Sequence, residues 1–344
     1  MKPIGAAAAA LLLLASACAG AQETPPQPAG WQALTIETKP APISQTAGNG
    51  ARYGALIFRG GLELKAANGM FGGWSGLEID KGGRITAVSD DGAFFEAKVV
   101  LDAAGDLTGL SDARIALMRG LKGEPLDSKE WQDAEDIARL PDGRYAVSFE
   151  RHHRIWIYDL DGKGPLAGGV EGPAAPQDMG ENEGLEALTA TPEGDLIAGR
   201  EFSADHKPPT QFFRMRIDGN GGWIAGPAQV SENYALVALR PLPGGDYLAL
   251  ERFWFPILGS RTELRRYKAA GLADARPHLD GPVLASLLKP LALDNFEGLA
   301  VTPGANGATR LYIISDDNFS ASQRTLLYAF DLPAEESTAK GAPR

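Results

Sequence analysis

The chain repeats itself, and the repeat limits the fold more than any other feature of the sequence. The stretch DAEDIARLPDGRYAVSFER (133–151) returns about 50 residues later as NEGLEALTATPEGDLIAGRE (182–201), and again as ALVALRPLPGGDYLALER (235–252). Related copies stand nearer the ends, GWSGLEIDKGGRITAVSDDG (73–92) and DNFEGLAVTPGANGATRLYIISDDN (294–318). Glu135, Glu186 and Glu297 each precede a proline by six positions, at Pro141, Pro192 and Pro303, and Val237 precedes Pro243 by the same six. After the turn, a strand-like run ends in an acid: Asp90, Glu150, Glu201, Glu251 or Asp316. That acid lies six positions beyond Arg84, Arg144, Asp195 and Arg310 but five beyond Asp246, which reads as a one-residue slip. Side chains alternate faces along a strand, so a slip is expected to exchange the roles of Glu251 and Arg252.

Self-similarity at this period marks propellers and arrays, whose units cannot bury their own apolar face alone. Each unit alternates short apolar runs with turns such as PDG, PEG and PGG, where Pro presets φ and Gly supplies the positive φ. Helical periodicity is confined to a turn or two near Pro282–Leu291. Short strands at regular spacing argue for an all-β fold, and radially repeated sheets are the propeller solution to exposed strand edges. Five copies are countable, and 20–66, 102–132 or 269–293 leave room for a sixth, so five or six blades are expected. The run YGALIFRGGLELKA (53–66) lacks a hairpin partner, while the last copy, ending RTLLYAFDL (324–332), is one strand short. An N-terminal strand that completes the last blade and so closes the ring is therefore expected.

The N-terminus reads as a targeting segment. Lys2 is followed by a short apolar run, Ile4–Ala17, that ends in small residues. LASAC (14–18) suits lipidation at Cys18, and Ala19-Gly20-Ala21 suits ordinary cleavage, so both readings stay open. The chain divides into a signal peptide (1–21), a Pro-rich tether (22–50), a propeller domain (51–334) and a disordered tail (335–344). Export is expected, to the periplasm or as an outer-membrane lipoprotein of a bacterium. Cys18 is the one cysteine, so no internal disulfide is available. A net charge of −11 without a Lys/Arg block argues against nucleic acid and against an anionic membrane surface. A monomer is the expectation.

GWSGLEID, NEGLEALT, DNFEGLA and SDDNF, in this order and spacing, resemble the bacterial "esterase-like activity of phytase" family over roughly residues 54–332. The resemblance implies a β-propeller related in architecture to calcium-dependent phytases, and hydrolysis of ester or phosphoester bonds. Calcium phytases hold phosphate with several Lys and Arg, whereas the repeats here supply mainly Arg151, Arg200 and Arg252. A less charged ester or phosphodiester is therefore expected to suit this chain better than phytate.

The residues themselves point to an acidic axial site. Winding the copies into a ring brings Glu78, Asp90, Asp91, Glu135, Glu150, Glu297, Asp316 and Asp317 together as candidate metal ligands. Glu186, Glu201 and Arg200 are the candidate catalytic groups, and Arg151 and Arg252 would bind substrate. Crowded carboxylates stay ionised only with cations beside them, and Ca2+ accepts flexible sets of oxygen ligands. Pairing of these acids and bases to hold blades together is the competing reading, and Asp90-Asp91-Gly92 and Asp316-Asp317-Asn318 could equally be plain turns. Ser75 does not fit the G-x-S-x-G elbow. His152, His153, His206 and His278 show no zinc spacing, although His206 could serve as an acid near Glu201. Trp74, Trp131, Trp156, Trp223 and Trp254 are expected between blades, with one or two free to stack a flat ligand at the rim. A propeller that binds a ligand or protein in the cell envelope without catalysis is the alternative function.

Overall fold

Each Pro-x-Gly turn closes a hairpin. Gly143 and Gly194 hold φ of 92° and 94°, a conformation that only glycine adopts cheaply. The structure is a computed structural model that describes residues 30–176, 179–180, 184–202, 208–218, 220, 222–255 and 259–334. The leader with Cys18, His206 and the tail 335–344 lie outside the described residues.

Five antiparallel sheets follow in order. Blade 1 runs Trp74–Ile79, Arg84–Ser89, Ala93–Leu101 and Leu107–Leu117 from the inside out, and blade 2 runs Ala134–Arg139, Tyr145–Phe149, Arg154–Tyr158 and Val170–Ala174. Blade 3 is Ala187–Ala190, Asp195–Gly199, Thr210–Arg216 and Ile224–Ala228, and blade 4 is Ala235–Pro241, Tyr247–Phe255, Gly259–Tyr267 and Val283–Leu287. Blade 5 starts with Asn295–Pro303, Thr309–Asp316 and Thr325–Leu332, and its fourth strand is Leu56–Ala66 from the N-terminal side. The fold is thus an all-β propeller with five blades among the described residues.

Three expectations need correction. The strand Leu56–Ala66 completes blade 5, but the ring is not closed by a shared strand. The five sheets stay separate hydrogen-bonded units, and each innermost strand packs against those of both flanking blades, the fifth against the first. The segment assigned as a tether is structured from Gln32 onward. Gln32–Ala33 pairs with blade 1, Ile36–Pro40 pairs with Leu56–Ala66, and Ile43 is fully buried. The stretch near Pro282–Leu291 is not helical; Val283–Leu287 is the outer strand of blade 4, because its neighbour Gly259–Tyr267 offers an open edge to pair with.

The apolar core lies between blades. One cluster joins blades 4 and 5 through Leu248, Leu250, Phe296 and Tyr328, and another joins blades 5 and 1 through Leu77, Phe95, Tyr312 and Leu327. Trp74 and Trp156 are buried there as expected, whereas Trp131 and Trp254 are exposed.

Candidate functional site

Four innermost strands carry a β-bulge at one repeat position. The register skips Ser75 in blade 1, Glu135 in blade 2, Val237 in blade 4 and Glu297 in blade 5. Glu186 holds the same place in blade 3, one residue before the strand Ala187–Ala190. A bulge re-aims a side chain out of the regular alternation. Ser75, Glu135, Glu186 and Glu297 all face one cavity of about 700 Å³ at an end of the ring axis. Asp90, Glu150, Glu201 and Asp316, at or just past the end of their blades' second strands, and Arg252, inside the longer second strand of blade 4, face the same cavity. Asp133, Asn295, Lys129 and Trp254 complete much of the wall.

Arg252 therefore sits where the other four blades place an acid. It lies six positions from Asp246, in step with the other copies, so blade 4 carries no slip. Glu251 is one residue short of that position and points the other way. It is fully buried within the blade, on Arg265 at 2.5 Å and on the Ser231 amide at 2.8 Å. The same alternation removes Arg200 from the site: it stands one residue before Glu201, is buried, and does not line the cavity.

Three candidate ligands also fall away. Glu78 lies three residues beyond the bulge, near the hairpin end of its strand, and contacts Arg240 at 3.3 Å and the Arg139 amide at 3.2 Å. Asp91 is half exposed, and its cation Lys129 is 3.9 Å away. Asp317 serves a turn, accepting from the Gly73 amide at 3.1 Å and from the Thr325 hydroxyl at 2.8 Å. His152 and His153 lie in a turn rather than on a continuing strand, and His153 contacts the Gly180 carbonyl at 2.8 Å. Asp133, Lys129 and Asn295 were missed by sequence reasoning. The first and last stand two residues before the bulged Glu135 and Glu297, a repeat offset that could have found them.

Among the described residues eight carboxyl groups face three cations in the cavity, and each of these cations is engaged. Arg252 bridges Glu201 and Glu297 at 2.9 Å each and donates to Asn295 Oδ1 at 2.8 Å. Lys129 bridges Asp90 at 2.6 Å and Asp133 at 2.8 Å, and Arg151 meets Asp133 at 2.6 Å. Glu135 and Glu186, each 8 % exposed, form no hydrogen bond or ion pair with a described residue. Asp133, Glu135 and Glu150 bring ligand oxygens within 4.8 Å of one another.

The electrostatics follow from this geometry. Burial, then the charges of Glu150 and Asp133, push the Glu135 carboxyl well above its ordinary range. Glu186 is pushed well up by burial and then by Glu135 and Glu201. Burial raises Glu297 to about 8 although Arg252 opposes it. Burial with nearby acids raises Glu150 to about 7, and Asp316 rises to about 7 mainly through burial. Arg252 is held above its usual range by Glu297, Glu201 and Glu186, which outweigh the effect of burial.

Beneath the cavity the axis is blocked. Arg240, from blade 4, is 1 % exposed and reaches Asp136 of blade 2 at 2.7 and 3.0 Å. It also donates to carbonyls of blades 1 to 3, at Leu77, Ile137 and Leu188. The acid cavity is thus a blind cup.

The sequence profile of the phytase-like family, described as esterase-like activity of phytase, matches residues 70–319. The chain belongs to that family. The match spans all five innermost hairpins of this phytase-like chain and both carboxylate rings. Solved structures resemble it at low identity. A protein of unknown function from Dyadobacter fermentans is 12% identical, covering 87% of this chain and 91% of its own, with a TM-score of 0.45. The calcium-binding protein regucalcin from Agrobacterium tumefaciens is 14% identical, covering 80% and 86%, with a TM-score of 0.41. A PQQ-bound aldose sugar dehydrogenase from Streptomyces coelicolor is 12% identical, covering 86% and 99%, with a TM-score of 0.41. No curated protein matches the sequence.

Proposed function

We propose that this phytase-like propeller hydrolyses ester or phosphoester bonds in its acidic cup with the help of a bound hard cation, Ca2+ being the natural candidate. The observation that carries the reading is the pair Glu135 and Glu186: buried carboxylates without a partner among the described residues, in a cup whose described cations are all engaged. Unpaired charge of this kind is costly and calls for a cation or for protons. The donor set fits the ion. Among the described residues the wall offers carboxylate and amide oxygens with no His or Cys, and Asp133, Glu135 and Glu150 already converge. These three would hold the ion, and it would supply a positive charge that polarises the ester or phosphoryl oxygen.

The chain's own residues do the rest. Arg252, fixed by Glu201 and Glu297 at the cavity wall, has its side chain 19% exposed and can donate to a substrate oxygen from its guanidinium. Glu186 takes the proton that water loses as its oxygen joins phosphorus or carbonyl carbon. The ester bond breaks, and the same carboxyl returns that proton to the leaving oxygen. The blind floor formed by Arg240 and Asp136 keeps bulk water from entering along the axis. The leader up to Ala17 supports export, with Cys18 as the lipid anchor or as part of a removed signal.

Titrating metal-free protein with Ca2+ tests the reading. Hydrolysis of p-nitrophenyl esters should appear with calcium and vanish on chelation. Glu186→Gln should lower turnover by about 10²-fold or more while the protein stays folded. If Glu135→Gln with Glu186→Gln leaves turnover intact and changes only thermal stability, the acids are structural. Binding of calcium without any turnover would favour the non-catalytic propeller.

A further inference from the structure

Among the described residues the cup is poor in free positive charge, and this limits what can enter it. Lys129 is spent on Asp90 and Asp133, Arg151 on Asp133, and Arg252 on Glu201, Glu297 and Asn295. Arg252 lines the cavity with its side chain 19% exposed, so what remains of its guanidinium can meet one further oxygen. A single N–H answers one anionic oxygen, and a polyanion needs several such answers at once. The rest of the wall is mostly carboxyl groups, which offer a polyanion no donor to balance its charges.

The mouth carries a second feature. Trp254, at the end of the second strand of blade 4, lines the cavity and is 57% exposed. It stands two residues beyond Arg252, so by strand alternation both side chains leave the same face. A large flat apolar surface beside a charged donor suits a ligand with one flat body and one acidic group.

We propose that the cup selects esters carrying at most one negative charge, with the flat or apolar body of the substrate lying on Trp254. The acidic oxygen meets the exposed part of the Arg252 guanidinium and the ring lies toward the mouth. Inositol polyphosphates are excluded because the cup lacks free cations to answer their charges. The assignment rests on the hydrolase reading above, and its test separates the two.

The panel is bis(p-nitrophenyl) phosphate, with one charge and two rings, p-nitrophenyl phosphate, and inositol hexakisphosphate, all at the same calcium concentration. The expected order of kcat/KM is diester, then monoester, then hexakisphosphate, with about 10-fold or more between first and last. Trp254→Ala should raise KM for the diester about 10-fold, with the loss in KM rather than kcat, and Trp254→Phe should recover most of it. Calorimetry of the Glu186→Gln protein with the diester and with the hexakisphosphate gives affinity without turnover. Tighter diester binding there supports the assignment even if the wild type hydrolyses nothing, an outcome that would overturn only the hydrolase reading. Tighter hexakisphosphate binding, faster hexakisphosphate turnover, or a Trp254→Ala protein with unchanged KM would overturn the assignment.

Discussion

Glu135 and Glu186 stand on neighbouring blades; after burial, the Glu135 charge raises the proton affinity of Glu186, and Glu150 and Asp133 raise that of Glu135. Acids with raised folded-state pKa values bind protons more tightly when folded than when unfolded, so they lower stability as pH rises. For Glu297, Glu150 and Asp316 the window runs from the ordinary carboxylate range up to about 8. Metal-free protein is therefore expected to lose melting temperature between roughly pH 4.5 and pH 8. Saturating Ca2+ should flatten that slope, because an ion that binds only the folded state removes the need for protons. Differential scanning fluorimetry across pH, with and without calcium, measures both. A calcium-free profile that climbs steadily over this window would contradict the assignment of the cup.

At the level of strands, the site depends on a bulge repeated around the ring. The bulge turns Ser75, Glu135 and Glu297 toward the cup, and the residue after it then faces the neighbouring blade at close range. That next residue is Gly76 in blade 1 and Gly298 in blade 5. A Cβ on Gly76 would stand 2.8 Å from both Asp136 Cα and the Ile137 nitrogen, which are backbone atoms that cannot swing away. Gly76→Ala should cost about 1–3 kcal/mol by forcing the innermost strands of blades 1 and 2 apart. It should also weaken calcium binding, since the cup is assembled by those strands. Urea denaturation and calcium titration of the variant check the two effects, and unchanged values in both would show that the ring tolerates the spread. Arg252 belongs to the same scale. It occupies an acid's position in the repeat and clamps Glu201 and Glu297. Arg252→Met should raise calcium affinity by freeing those two carboxylates while weakening substrate binding, a split visible by calorimetry and by KM.

Across the whole molecule, one buried pair ties four blades together at the axis. Arg240 and Asp136 are at most 1 % exposed, and burial raises Asp136 to about 6 against the pull of Arg240. Removing one partner leaves an uncompensated charge in the centre of the ring. Arg240→Met is expected to destabilise by about 3–5 kcal/mol, and adding Asp136→Asn should recover a large part of that loss. Equilibrium unfolding of the single and double variants measures the coupling; additive losses would mean that the pair holds nothing jointly.

The fold was largely legible in the sequence because its period is local information. A Gly-bearing turn between alternating apolar runs specifies a hairpin wherever it occurs, and five such hairpins leave few architectures. Much of the site was legible for the same reason: Glu135, Glu186 and Glu297 share one offset from their prolines, and Asp90, Glu150, Glu201 and Asp316 share another. What the repeat could not show was direction. Arg200 and Glu201 are adjacent in sequence and face opposite ways, and Glu78 shares a strand with Ser75 but lies toward the far end of the axis. Those outcomes depend on a bulge and on strand alternation, which are settled only when the strand pairs. The Asp136–Arg240 pair, 104 residues apart, and the engagement of every cation in the cup exist only after the ring has formed. Sequence alone determined which residues repeat. Tertiary packing decided which of them meet, because contact across a ring depends on the register of strands that the chain does not place side by side in sequence.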